Sequence, residues 1–315
     1  MPMLFGEPRH SARTGYSHAS SPYDPPMLKF LRPFAGLAAA SLFLSACAAD
    51  ALNLVTSRSG YETVADVAYG GDARQRFDLY VPDDVGPDTP LVVFFHGGSW
   101  DSGSKDIYRF VGQSMTSDGF ILAVPNYRLY PQVTFPGFVE DGALALASID
   151  RALAAGGYGV PAGPRPLVLM GHSAGAEIAG LLAFDERYLA AQGFSRDRLS
   201  AFVGLAGPYD FLPLDEERYM RIFPEATRDQ SQPVNYADGS GPPSLLIHGM
   251  ADTTVEPENT RSMAAAIEVA GGSVEARFFE GVDHIGPISS FATALSLGDA
   301  GIRQAVVDFI RQRTR

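Results

Sequence analysis

Gly171-His172-Ser173-Ala174-Gly175 is where this chain could make a nucleophile. A serine hydroxyl attacks a carbonyl well only when a base removes its proton and pre-placed donors receive the oxyanion. The pentapeptide follows an apolar run ending at Met170 and opens a helical stretch from Ala176. A G-x-S-x-G between strand and helix is a nucleophile elbow, whose tight turn demands small residues two before and two after the serine. Gly171 and Gly175 supply them. The helix N-terminus adds partial positive charge beside a developing anion.

His96-Gly97-Gly98-Ser99-Trp100 follows another apolar run, Leu91 to Phe95. Paired glycines let backbone N–H groups approach a carbonyl oxygen, so Gly97 and Gly98 are candidate oxyanion donors, with Ala174 after the nucleophile as the other. His96 is expected to pin the loop by a hydrogen bond. The base must be one of six histidines. His10 and His18 fall in an N-terminal leader, and His96 belongs to the glycine loop. The elbow is expected to direct His172 away from Ser173, and His248 ends an apolar run. His284, in a loop after the Val274 to Phe279 run, remains. The acid should lie between serine and histidine. Asp252, just past the Ser244 to His248 run, is best placed to fix the imidazole tautomer. Glu256 and Asp210 compete, and Asp283 sits too close in sequence to His284.

Together the H-G-G-S-W loop, the G-H-S-A-G elbow, the late H-G-x-x-D and the final D-H resemble the α/β-hydrolase esterases related to hormone-sensitive lipase. The resemblance extends to the feruloyl-esterase-like and kynurenine-formamidase-like branch, through Asn126-Tyr-Arg-Leu-Tyr-Pro131, Phe135-Pro136 and Glu140-Asp141. It runs from about Asp78 to the C-terminus. It implies a Ser173–Asp252–His284 triad, oxyanion donors at Gly97, Gly98 and Ala174, and Trp100 walling the acyl pocket. A core position for this sole tryptophan is the equal alternative. The reaction so implied is ester hydrolysis through an acyl-enzyme. An arylformamidase-type amide hydrolase uses the same machinery, and an inactive binding protein on the same fold is a third reading. The mechanism requires no cofactor or metal, and the chain shows neither H-E-x-x-H nor a cysteine cluster.

These side chains need a scaffold. Leu91–Phe95, Phe120–Val124, Pro166–Met170, Ala201–Leu205 and Ser244–His248 are continuous apolar runs, the pattern of strands covered on both faces. Phe138–Ala155, Ala176–Phe184, Arg261–Ala270 and Ile302–Arg311 read as helices between them. The alternation predicts an α/β fold with a mostly parallel central sheet, and the resemblance implies that it is an α/β-hydrolase with helices on both faces. Phe77–Val81 alternates, as a half-buried antiparallel edge strand would. Pro208 to Pro243 lacks a clear period and is expected to form a small cap. Residues 64–315 read as one catalytic domain. The net charge of −12 argues against nucleic acid, whose phosphates call for a basic face.

The N-terminal region reads differently. From Met27 a short basic stretch and the apolar run Ala35 to Leu44 form a secretory signal, and Leu44-Ser45-Ala46-Cys47 resembles the lipobox of bacterial lipoproteins; a non-lipidated signal, leaving the protein secreted or periplasmic, is the alternative. The expectation is a leader or mis-assigned start over residues 1–26, a lipoprotein signal over 27–46, lipidation of Cys47 and a tether over 47–63. Ala48 after the cysteine favours the outer membrane of a two-membrane bacterium.

Overall fold

The computed structural model describes residues 52–315. The expected leader, the signal segment and Cys47 lie outside them. Eight strands form one sheet in the order β1-β2-β4-β3-β5-β6-β7-β8. They are β1 (Tyr61–Ala68), β2 (Arg76–Pro82), β3 (Leu91–Phe95), β4 (Ile121–Pro125), β5 (Leu167–His172), β6 (Leu199–Leu205), β7 (Ser244–Gly249) and β8 (Val274–Phe279). From β4 to β8 all neighbours are parallel, while β2 runs antiparallel to both β1 and β4. The longer helices are α1 (Arg109–Ser117), α2 (Gly137–Ala154), α3 (Ala174–Phe184), α4 (Glu258–Val269) and α5 (Ala300–Arg313).

The two-residue period of a strand sends successive side chains into opposite layers. Leu91, Val93 and Phe95 of β3 join one core with Phe138 and Leu146 of α2 and Ile178 of α3. Val92 and Phe94 join the other, with Val111 and Met115 of α1 and Val306 and Ile310 of α5. Both faces are therefore apolar, which is why these strands read as unbroken hydrophobic runs. α3 is buried along its whole length, and its alanines and glycines allow it to lie close against the sheet.

The N-terminal side departs from expectation. β2 is an interior strand, because β1 pairs along its outer edge. Its alternation hides a two-sided burial: Phe77, Leu79 and Val81 enter one core and Tyr80 the other. Asp78 is accommodated by a salt bridge of 2.9 Å to the buried Lys105. β1 itself, mostly exposed, gives no hydrophobic pattern, and it begins at Tyr61, ahead of the expected domain start at Val64. Leu52 is also buried in a core, and Asn53 donates to the Asp106 carbonyl at 2.9 Å. Part of the expected tether thus packs on the catalytic domain. Residues 208–243 form short helices, Glu217–Ile222 and Glu225–Arg228, followed by single helical turns.

Candidate active site

The site gathers at the carboxyl ends of β3, β5, β7 and β8. Ser173 joins β5 to α3 with φ 54° and ψ −128°, a strained conformation for a residue with a Cβ. The flanking glycines make it possible. A Cβ on Gly171 would lie 2.2 Å from the Gly175 carbonyl oxygen, and one on Gly175 would lie 2.1 Å from that of Phe95.

The structure brings the three expected side chains together. His284 Nε2 lies 2.9 Å from Ser173 Oγ, and its Nδ1 lies 2.7 Å from Asp252 Oδ2. An ionised carboxylate only accepts, so Nδ1 carries the imidazole proton and Nε2 is left to accept from the serine. Asp252 Oδ1 accepts the N–H groups of Thr254 and Val255 at 2.8 and 3.0 Å. Burial by itself would raise the Asp252 carboxyl. Hydrogen bonds from His248 and His284, the His284 charge and the Val255 amide together hold it well below the usual carboxylate range. It is therefore ionised wherever the imidazole has to be oriented.

Two further histidines complete the arrangement, and the sequence reading assigned a role to neither. His248 Nε2 lies 3.2 Å from Asp252 Oδ2 and 3.0 Å from the Val255 carbonyl. Both are acceptors, so Nε2 donates, and Nδ1 accepts from the Thr260 hydroxyl at 2.7 Å. His172, expected to point away from Ser173, makes no hydrogen bond to the Ser173 hydroxyl among the described residues. Its Nε2–H donates to the backbone carbonyl of His284 at 2.9 Å, and the two rings are 5.0 Å apart. Burial, with His284 nearby, pushes the His172 pKa down to about 3, so the ring is neutral. The missed signal was adjacency: His172 flanks the nucleophile, and His248 opens the H-G-x-x-D stretch that carries the acid.

The glycine loop lies against the elbow, since a Cβ on Gly97 would come within 3.1 Å of Ser173 Cβ. His96 pins it through a 2.8 Å hydrogen bond from Nδ1 to the Gly97 carbonyl. The ring stacks on Tyr127 at 4.5 Å, and burial lowers its pKa to about 4. Because N–H and C=O of a trans peptide point opposite ways, that bond turns the Gly98 N–H away from the His96 ring. The Gly97 N–H lies near the buried Tyr108 hydroxyl. None of the three expected donors, Gly97, Gly98 and Ala174, has a hydrogen-bond acceptor among the described residues.

Trp100 is only 5% exposed. Its ring packs against Phe223 at 4.7 Å and Phe211 at 5.9 Å, and its indole N–H donates to Glu177 Oε2 at 3.0 Å. Of its two expected places, the structure gives it the core one, between the glycine loop and the covering segment. Arg218 of that segment grips Asp101, next along the loop, with Nε on Oδ2 at 2.7 Å and Nη2 on Oδ1 at 2.5 Å. Among the described residues Asp252 is the carboxylate bonded to His284, and neither Glu256 nor Asp210, the rival acids, forms a hydrogen bond or ion pair with it. No group of three or more His, Cys, Asp or Glu among the described residues is placed to hold a metal ion.

Known proteins resemble this chain. Residues 77–267 match the family described as BD-FAE. A probable isoprenylcysteine alpha-carbonyl methylesterase of Arabidopsis thaliana, ICMEL2, is 29% identical over 241 residues, 69% of this chain and 56% of that protein. A kynurenine formamidase of Danio rerio is 32% identical over 126 residues, 40% of each chain. This chain thus spans about half the length of the curated relatives it matches. Esterase B from Lactobacillus rhamnosis superposes with a TM-score of 0.72 at 18% identity, covering 88% of this chain and 93% of that one. With more than half its residues matched and this sheet order, the chain belongs to the BD-FAE family and has the α/β-hydrolase fold.

Proposed function

We propose that this protein is a serine hydrolase that cleaves carboxylic esters through an acyl-enzyme. The observation that carries the reading is the unbroken hydrogen-bond line from Ser173 Oγ through both nitrogens of His284 to the Asp252 carboxylate. His284 takes the serine proton as Oγ attacks the carbonyl carbon, while the Gly98 and Ala174 N–H groups receive the oxyanion. The imidazolium then protonates the leaving alcohol. Water, activated by the same ring, releases the acid. The names of the esterase relatives support esters as substrates.

A fluorophosphonate probe should label the wild type at Ser173 and leave Ser173→Ala unlabelled. Failure of the wild type to label would favour the inactive binding protein. Turnover of p-nitrophenyl esters should exceed that of an aryl formamide. The reverse ranking would move the assignment to amide hydrolysis, the activity in the Danio rerio relative's name.

We further propose that Cys47 carries a lipid anchor holding the domain to the bacterial cell envelope, at the outer membrane. Its support is the lipobox Leu44-Ser45-Ala46-Cys47 behind a basic and apolar segment. No helix among the described residues is long and apolar enough to cross a membrane. Mass analysis of the mature N-terminus tests the anchor: an unmodified Cys47, or cleavage elsewhere, refutes it.

A further inference from the structure

Glu177 lies one turn beyond Ser173 in α3, among alanine, glycine, isoleucine and leucine, in a helix buried along its whole length. A carboxyl is out of keeping there unless something uses it. One of its oxygens is occupied: Oε2 accepts the Trp100 indole N–H at 3.0 Å. The other, Oε1, is buried without a partner. Burial drives the group's pKa well above the ordinary carboxylate range, against the lowering effect of the Trp100 hydrogen bond.

The loop at the other end of this bond is strained. Ser99 and Trp100 are consecutive non-glycine residues in the left-handed region, at φ 51° and 60°. They follow directly on Gly98, whose carbonyl accepts the N–H groups of Asp101 and Ser102. A strained turn persists only when its surroundings over-determine it. The Trp100 side chain supplies that restraint through its N–H on Glu177 and its ring against Phe138, Phe211 and Phe223. At the helix end, the Glu177 N–H bonds to the Ser173 carbonyl, so residue 177 moves with the nucleophile.

We propose that Glu177 is a positioning residue: through the Trp100 indole it braces the glycine loop, and with it the Gly98 N–H, against the helix that carries Ser173. The inference rests on the esterase reading given above. An apolar residue at 177 could fill the volume, but it would leave the indole N–H unmatched and the turn free to relax.

The test compares Glu177→Gln, Glu177→Leu, Trp100→Phe and the Leu/Phe double variant, by kcat and KM on p-nitrophenyl butyrate. Trp100 is the only tryptophan in the chain, so tryptophan emission reports on the surroundings of this one indole. Glutamine keeps an acceptor and should hold kcat within about tenfold of wild type, with an unshifted emission maximum. Leucine should lower kcat by about 10- to 100-fold at nearly constant KM and shift the emission. Trp100→Phe should lose as much, and the double variant no more than either single, since all three remove one contact. Wild-type kcat in both Glu177→Leu and Trp100→Phe overturns the proposal, as does a loss confined to KM or strict additivity in the double variant. If Glu177→Leu does not fold, Glu177→Gln and Trp100→Phe decide alone: a full kcat in Trp100→Phe overturns the proposal. A wild type that neither labels with fluorophosphonate nor turns over any ester overturns the esterase reading instead, a result separate from these ratios.

Discussion

Asp252→Asn changes one oxygen of the carboxyl into an NH2 group, and the surroundings dictate which one. Oδ1 accepts two backbone N–H groups, from Thr254 and Val255. An amide must keep its oxygen there, so its NH2 replaces Oδ2 and faces His284 Nδ1 at 2.7 Å and His248 Nε2 at 3.2 Å. A donor opposite Nδ1 forces His284 into the other tautomer. Its proton then sits on Nε2, aimed at Ser173 Oγ, where an acceptor is required. Where this tautomer is trapped in a serine triad, kcat falls by about 10⁴. That corresponds to roughly 5 kcal/mol of lost transition-state stabilisation. The backbone bonds survive, so the fold should too, with stability reduced by about 1–3 kcal/mol for the mismatch with His248. The assay is kcat/KM on p-nitrophenyl butyrate and the rate of fluorophosphonate labelling, beside a urea unfolding curve. A folded Asp252→Asn variant that keeps more than a tenth of wild-type kcat would refute the role given to this carboxylate.

Gly175→Ala should cost about 3 kcal/mol or more in urea unfolding, because the added methyl would meet the Phe95 carbonyl at 2.1 Å; a variant of unchanged stability would show that the elbow can spread. His96 and His172 are buried with pKa values lowered to about 4 and about 3 from an ordinary 6.5. The unfolded chain therefore binds more protons below pH 6.5, and stability should fall as pH drops from there toward 3. His172→Gln should flatten that slope by about one proton in titrations of the urea midpoint, and an unaltered slope would contradict the burial argument. Arg218→Ala removes the grip on Asp101. Being partly exposed, the pair should contribute less than about 1 kcal/mol to unfolding. KM for bulky esters should rise while the melting temperature holds, and a large loss of melting temperature at unchanged KM would show that the grip serves folding alone.

What could be read from the residues in order was whatever depends on local periodicity and tight geometry. The unbroken apolar runs of β3 to β7 announced two-sided burial, since both layers of side chains meet helices. G-H-S-A-G marked the elbow, because a positive φ at Ser173 leaves no room for a Cβ on either flank. Chain order and elimination sufficed to name Asp252 and His284 as partners for Ser173. β1 escaped notice because an exposed edge strand need not be apolar. β2 passed for an edge strand because Asp78 mimics a solvent-facing position while pairing with the buried Lys105. The parts of the site held by contacts between distant segments had no periodic signature at all. The bond from His172 to His284 spans 112 positions in the chain, and that from Trp100 to Glu177 spans 77. A hydrogen bond between such segments depends on where the sheet delivers each strand end, so only the tertiary structure could decide which neighbouring groups hold the three reactive side chains in place.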